Sequence, residues 1–452
     1  MLYKETFILL IVLCAILIFW LRDAKKVSIN LQTDNGKGYN YFRFNYLIIY
    51  FLVMAGDWLQ GPYIYAIYKS YGFELSEIAI LFVTGFLSSG IFGTIIGSAA
   101  DKFGRKKFCL LFTLLYSSAC FIILSSNFYI LLIGRILGGI STSLLFSVFE
   151  AWMVSEHFSR GFSSSSLSNT FSKATFGNGL VAIFSGLFAN WLVERHGISS
   201  PFLAAIGFFI MAAMVIILTW KENYGSDSKN TNTFQNLLQA LNVIKNDSRV
   251  LAIGAVQSLY EASMYIFVFL WAPLLESQHD VSNESNLPFG MIFASFMVAI
   301  MIGSLLYGHL SGPMNISLPD IANGTFFIAS ISLILPLFIE NEFSLFIFFT
   351  IFEVTCGLYF PLIGTLRAKA ISEDIRATVG NLFRVPLNLI VAFILISDIP
   401  ILEQCLLCSF LLFMAFIWSF WLPMESSSSK KSAKTVAKVA KIKKTLEKQR
   451  SD

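Results

Sequence analysis

The stretch "GSAADKFGRKKF" (Gly97 to Phe108) places five charges within seven residues, between two long apolar runs at 76–99 and 108–126. A bilayer core of ~30 Å is crossed by about 20 apolar residues of helix. The two runs therefore read as spans and the charged turn as the loop that joins them at the membrane surface. Each residue type suits that place. Gly97 lets a neighbouring helix approach closely, and Asp101 accepts from backbone donors or basic groups. Gly104 turns the chain, while Arg105, Lys106 and Lys107 face anionic headgroups.

Working outward, apolar runs recur at 5–21, 45–68, 127–153, 170–193, 200–220, 250–275, 289–309, 320–339, 343–365, 376–397 and 400–422, making thirteen spans with the two above. Hydrophobic residues make up 56% of the 452 positions and charged residues only 13%. Soluble domains carry about 25% charged residues, so the chain is an all-α polytopic membrane protein. The first run is followed at once by "RDAKK" (Arg22 to Lys26) and lacks a small-residue cleavage site. It is expected to be a retained anchor with its N-terminus outside.

Basic residues cluster in alternate loops, at Lys102 to Lys107, Arg160, Lys221 to Arg249 and Arg367 to Arg376, whereas the opposite loops hold little beyond Lys69 and Arg195. This asymmetry predicts a cytoplasmic C-terminus. The segment from Glu425 holds eight Lys and one Arg against three acids, a tail suited to an anionic membrane face. The sequon at Asn283 then falls in an exterior loop. The chain turns polar between two sets of six spans. The expected division is an anchor and basic linker at 1–44, a six-helix bundle at 45–220, a cytoplasmic linker at 221–249, a second bundle at 250–422 and a Lys-rich tail at 423–452. Two bundles about a central site can alternate its access by rocking.

Enzymatic readings find little support. The four histidines show no metal-ligand spacing, HExxH is absent, and the six cysteines read as packing residues. Neither a metal, a cofactor nor a nucleic-acid partner is expected. The chemistry-bearing residues are the ionisable groups deep in the spans, which are functional-site hypotheses by default. Arg135 and Arg384, one from each half, suit an oxyanion, because a guanidinium stays charged and offers paired donors. Asp57, Glu261 and Glu353 are read as coupling groups or as partners of those arginines in the empty state. In "GDWLQGPYIYAIYKSYGF" (Gly56 to Phe73), Asp57, Gln60, Gly61, Ile64, Tyr68 and Tyr71 share one helical face, with Gly61 and Pro62 softening the backbone. Gln60, Tyr63 and Asn178 are further candidates for contact with a solute.

The order G-x-x-x-D-K-x-G-R-K-K resembles the signature loop of the major facilitator superfamily at every defined position, and "LLIGRILGGI" (Leu131 to Ile140) resembles its Arg-x-x-x-Gly motif. The resemblance implies a major-facilitator-type fold of two six-helix bundles plus one extra N-terminal transmembrane helix. It also implies a latch at Gly97, Asp101, Gly104 and Arg105, for which Glu150 is the expected partner of Arg105. The second copy of the loop, "GHLSGPMNIS" (Gly308 to Ser317), lacks the Asp and Arg, so any latch is asymmetric. The Gly-Pro motif of antiporters is replaced by "GNGLVAIFSG" (Gly177 to Gly186).

Within the superfamily, "DWLQGPYIYAIY" (57–68), "GRILGGISTSLLFSVFEAW" (134–152), "IFVFLWAPLL" (266–275), "CGLYFPLIGTLRAK" (356–369) and "FRVPLNL" (383–389) resemble the molybdate-anion transporters. That branch implies uptake of molybdate, a tetrahedral dianion, across the cell membrane by a monomeric multi-pass carrier in contact with the lipid bilayer. A carrier of another oxyanion or of a sugar, and a membrane sensor or scaffold without transport, are the alternatives.

Overall fold

A computed structural model describes residues 2–25, 37–225, 233–279, 287–338, 341–397 and 399–422. The sequon at Asn283 and the Lys-rich tail lie outside the described residues. Helices carry almost all of the structure, and twelve of the described helical segments are long and apolar enough to cross a membrane. The helix Arg105–Ile122 makes a thirteenth span. It falls short on composition alone, because its 18 residues include Arg105, Lys106 and Lys107.

In the N-terminal half the helices are α1 (Leu2–Lys25), α2 (Lys37–Gln60), α3 (Ile64–Ser70), α4 (Leu75–Phe103), α5 (Arg105–Ile122), α6 (Phe128–Leu145), α7 (Val148–Ser159), α8 (Ser164–His196) and α9 (Ser200–Thr219). After α10 (Thr233–Asn246) come α11 (Ser248–Ser277), α12 (Phe289–Ser311), α13 (Leu318–Ile334), α14 (Glu342–Ala370), α15 (Glu373–Ile396) and α16 (Ile401–Ser419). Two spans are broken where the sequence removes a regular backbone bond or strains it. Pro62 follows Gly61 between α2 and α3, where a single 3-10 turn, Gly61–Tyr63, takes over. The fourth core span breaks at Phe146 and Ser147, so Glu150 lies in the first turn of α7 and not at the end of one continuous helix.

Within the first half α2 packs on α8 and α9, α4 on α6, and α5 on α6 and α9; the second half repeats this with α11 on α14 and α16, α12 on α14, and α13 on α14 and α16. The halves meet through α4 with α15 and α8 with α12. Without a hydrophobic force between helices in lipid, such contacts depend on small residues and close packing. Gly186 and Gly290 face each other across the α8–α12 contact, where a Cβ on Gly186 would lie 2.8 Å from the Gly290 carbonyl oxygen. Large apolar side chains point outward, among them Phe19, Leu218 and Phe393.

The extra helix α1 packs on α12, where Phe7 and Cys14 join Ala294, Val298 and Ile302 in a small apolar cluster. Its start is tied to the second half by Tyr3, whose hydroxyl donates to Glu342, and Glu342 also meets His279 at 2.8 Å. The polar stretch read as a linker contains α10, an amphipathic helix that packs on α15 and α11.

Candidate functional site

At one end of the bundle the halves are joined by a set of polar contacts. Lys69 pairs with Glu276 at 2.8 Å, and Tyr65 donates to the same carboxylate at 3.3 Å, joining the end of α3 to the end of α11. Tyr63 donates to Asn190 at 3.1 Å and accepts from the Gly290 amide at 3.3 Å. Phe82 packs edge-on to Phe269, and Phe86 stacks on Tyr265 with centroids 5.0 Å apart. Further along, Gly90 takes Asn388, whose Nδ2 would be 2.5 Å from a Cβ there, and a Cβ on Gly93 would come within 3.9 Å of Arg384 Nη1.

Towards the end that holds the 101–107 turn, a cavity of about 450 Å³ opens, lined by Gly364, Arg367, Ala368, Arg376, Gly380, Asn381 and Arg384. Arg376, Gly380 and Arg384 stand four residues apart on α15, so they share a face. Arg376 is partly engaged, donating to the carbonyls of Ala368 and Ile371 at the end of α14. Among the described residues, Arg367 and Arg384 have neither an ion-pair nor a hydrogen-bond partner. Among the described residues Glu261 is a carboxylate within electrostatic range of both; it accepts from Tyr359 at 2.9 Å and is approached by the Gln257 amide. This arrangement presents fixed donors to an anion from the open side.

The other sequence-derived candidates are distributed differently. Arg135 donates from Nε to the Leu81 carbonyl at 3.0 Å, and its Nη2 occupies the space that Gly85 leaves, 2.5 Å from where a Cβ would be. Asp57 accepts from Tyr116 at 2.6 Å, and Glu353 is 9% exposed in α14. Expected pairing between these acids and Arg135 or Arg384 is not seen: among the described residues no such ion pair lies within 4 Å, and a tyrosine hydroxyl takes the place of the cation at both Asp57 and Glu261. Gln60 donates to the Gly56 carbonyl of its own helix, and Asn178 accepts from Trp58 at 2.9 Å. Tyr63 is held in the closed end described above.

The turn at 97–108 has a different partner from the one expected. Arg105, at the start of α5, pairs across the Gly104 turn with Asp101 at 2.7 Å, and Glu150 is exposed on α7 with no ion pair to it. The cause is the break at Phe146, which re-aims the residues that follow. Gly104 adopts φ +112°, and a Cβ there would meet the Glu222 carboxyl at 2.6 Å, so the motif glycine is needed twice over. Glu222 caps α5, accepting from the Lys106 and Lys107 amides at 2.7 and 3.3 Å. The Arg105 amide donates to Asn223 and the Gly225 amide to Asp101, both through backbone oxygens. Trp152 stacks on Trp220 at 3.6 Å and donates to the Lys221 carbonyl. Nothing stands within 4 Å of a Cβ at Gly97.

Arg367, Arg376 and Asn381 line the cavity without having stood out in the sequence, because the positive-inside pattern accounts for basic residues at span ends. The signal that could have found two of the cavity arginines is the spacing Arg376-x3-Gly380-x3-Arg384, since a loop has no reason to keep a helical period.

Related proteins are found at both the sequence and the structural level. A family described as sugar transporters with 12 transmembrane segments matches residues 2–345. A molybdate-anion transporter of Xenopus tropicalis is 36% identical over 376 residues, covering 81% of this chain and 80% of that protein. One from Danio rerio is 32% identical over 423 residues, covering 86% of each. Among solved structures, a mutant of the nucleoside transporter NupG superposes with a TM-score of 0.67 at 13% identity, over 84% of this chain and 100% of that one. A bacterial homologue of the human lysosomal transporter Spinster, in an inward-facing and unoccupied conformation, gives 0.67 at 15% identity, over 86% and 98%. At such identities the structural likeness shows the fold alone.

Proposed function

The chain belongs to the molybdate-anion transporter family of the major facilitator superfamily, and from that premise we propose that it carries molybdate, as the tetrahedral dianion, across a membrane by alternating access. The observation that carries the reading is the pair of guanidinium groups, Arg367 and Arg384, that line one cavity and, among the described residues, have no ion-pair or hydrogen-bond partner. Two planar forks suit a tetrahedral oxyanion, whose adjacent oxygens accept parallel hydrogen bonds. Arg135 supports the site at one remove, holding α6 against α4.

The description of the wider family as sugar transporters favours a second reading, a carrier of hydroxyl-bearing solutes. The side chains that would serve hydroxyls are occupied within the protein, Gln60 by its own helix, Asn178 by Trp58 and Tyr63 by Asn190. The cavity presents charge, so we take the oxyanion. The two bodies that move are taken as 45–220 and 250–422, with 221–249 between them. The closed end, with Lys69, Glu276 and Tyr63, is the outer gate in this reading. The 97–107 turn is the inner latch, with Gly97 left clear for the second bundle to approach. The protein is placed as a monomer in the cell membrane, N-terminus outside and C-terminus cytoplasmic.

The test is isotope uptake of molybdate into cells that lack a carrier of their own, at matched surface expression. Wild type should accumulate molybdate, tungstate should compete and sugars should not, and Arg384→Gln should lower uptake by about tenfold or more. Normal uptake by that variant removes Arg384 from the site, and competition by sugars alone selects the second reading.

A further inference from the structure

We infer that the oxyanion site reaches one helical turn beyond Arg384, to Asn388, whose side-chain amide is a further binding residue for the anion; this rests on the oxyanion reading above. Asn388 follows Arg384 by one turn on α15, about 6 Å along the axis and on the same face. Arg376, Gly380 and Arg384, which line the cavity, belong to the same row of every-fourth positions. At Asn388 the row passes from the cavity into the contact between α15 and α4.

The amide stands in an unusual place. Asn388 is half-buried within the span 378–396, and among the described residues its side chain has no hydrogen-bond partner. A polar group at that depth is costly unless it meets water, a ligand or another polar group. As interhelical glue it would bond across the seam, and it does not. Yet α4 leaves room for it. A Cβ on Gly90 would stand 2.5 Å from Asn388 Nδ2, and one on Gly93 would stand 3.9 Å from Arg384 Nη1, so a glycine lies opposite each polar residue of α15. The nearby hydroxyls of the first half are engaged with each other. Ser89 and Ser143 lie 3.2 Å apart, and Ser143 donates to the Ser89 carbonyl at 2.8 Å. The first half therefore supplies space here, and the second half supplies the donors.

A tetrahedral oxyanion has oxygens on every side. Arg367 and Arg376 approach from the inner end of the cavity and Arg384 from its wall, which leaves the side towards the α4 seam for a donor. The Asn388 amide fits that place, because it donates to an anionic oxygen without adding to the three positive charges already there.

The experiment is calorimetric titration of the full chain, in lipid nanodiscs, with molybdate and in parallel with tungstate, together with thermal unfolding of the same preparations without anion. Asn388→Ala should weaken both oxyanions about tenfold, the loss of one hydrogen bond to a charged partner, and leave the unfolding midpoint of the empty protein unchanged. Asn388→Asp keeps the shape and turns a carboxylate on the dianion, so binding should fall about a hundredfold or more. Gly90→Ala puts a methyl where the amide sits; it should weaken binding in the wild-type background and add nothing in the Asn388→Ala background. A lowered midpoint with affinity kept within about twofold in Asn388→Ala makes the amide a packing group and overturns the inference. Asn388→Asp that binds as tightly as wild type overturns it as well, and decides the matter should the alanine variant not fold. Equal weakening by Gly90→Ala in both backgrounds overturns the seating of the amide on α4. No binding of either oxyanion by wild type, or binding by Arg384→Gln as tight as wild type, overturns the oxyanion reading itself. Weakened binding in Arg384→Gln beside wild-type affinity in Asn388→Ala overturns the extension alone.

Discussion

The crossing of α4 with α6 and the crossing of α12 with α14 are one joint built twice, with opposite charge beside it. In the first, a Cβ on Gly139 would stand 2.5 Å from the Gly85 carbonyl oxygen and 2.7 Å from Ser88 Cβ. In the second, a Cβ on Gly357 would collide with the Ile300 carbonyl oxygen, and one on Gly303 with that of Val354. Four residues before the contact glycine stands Arg135 in the first joint and Glu353 in the second. Arg135 is satisfied inside its joint by the Leu81 carbonyl, whereas Glu353 is buried with no cation within ion-pair distance among the described residues. Equal architecture therefore does not give equal chemistry. The two cavity cations that lack an ion-pair or hydrogen-bond partner among the described residues come from α14 and α15, so the proposed anion contact falls in the second half.

The joints themselves give the largest expected effect. Adding a side chain where two backbones touch cannot be relieved by a rotamer change. Gly357→Val should leave little folded protein at the membrane. Gly139→Ala should cost about 1–3 kcal/mol, seen as a lower midpoint of thermal unfolding in detergent. Gly138→Ala, where nothing stands within 4 Å of the new Cβ, should be nearly neutral. A Gly357→Val protein as stable as wild type would break the comparison at its root.

Next come the two arginines, which the comparison assigns to different work. Arg384→Gln should weaken oxyanion binding about tenfold or more with little change in thermal stability, because its guanidinium has no ion-pair or hydrogen-bond partner to lose among the described residues. Arg135→Gln should do the reverse. It strands the Leu81 carbonyl and the space beside Gly85, at about 1–3 kcal/mol of stability, while affinity stays within about threefold. Thermal unfolding and binding measured on the same preparations separate the two. If Arg135→Gln loses affinity and keeps its stability, the oxyanion is held from both halves.

What is legible in the sequence divides along the same contrast. Apolar length alone places the spans, since a bilayer dictates about 20 residues whatever the side chains do. The motif at 97–107 points to the superfamily, but its partners Glu222 and Asn223 lie more than a hundred residues on, just past the end of α9, and no local pattern leads to them. Depth counting along one continuous helix matches Arg105 to Glu150, and the break at Phe146 and Ser147 defeats such counting. Arg384 is legible because it is deep in an apolar run. Arg367 and Arg376 are not, since a basic residue near a span end has two explanations and the sequence offers the topological one first.

Glu353 gives the smallest expected effect and the sharpest use of the comparison. A buried carboxyl that lacks a cation gains nothing from its charge, and removing an uncompensated ionisable group while keeping its volume is commonly neutral or stabilising. Glu353→Gln should therefore keep molybdate uptake within about twofold and leave thermal stability unchanged or raised by up to about 1 kcal/mol. Its counterpart by position, Arg135, should tolerate no such change, because its donors are in use. Should Glu353→Gln abolish uptake in a protein that still folds, the buried carboxyl would carry part of the transport cycle.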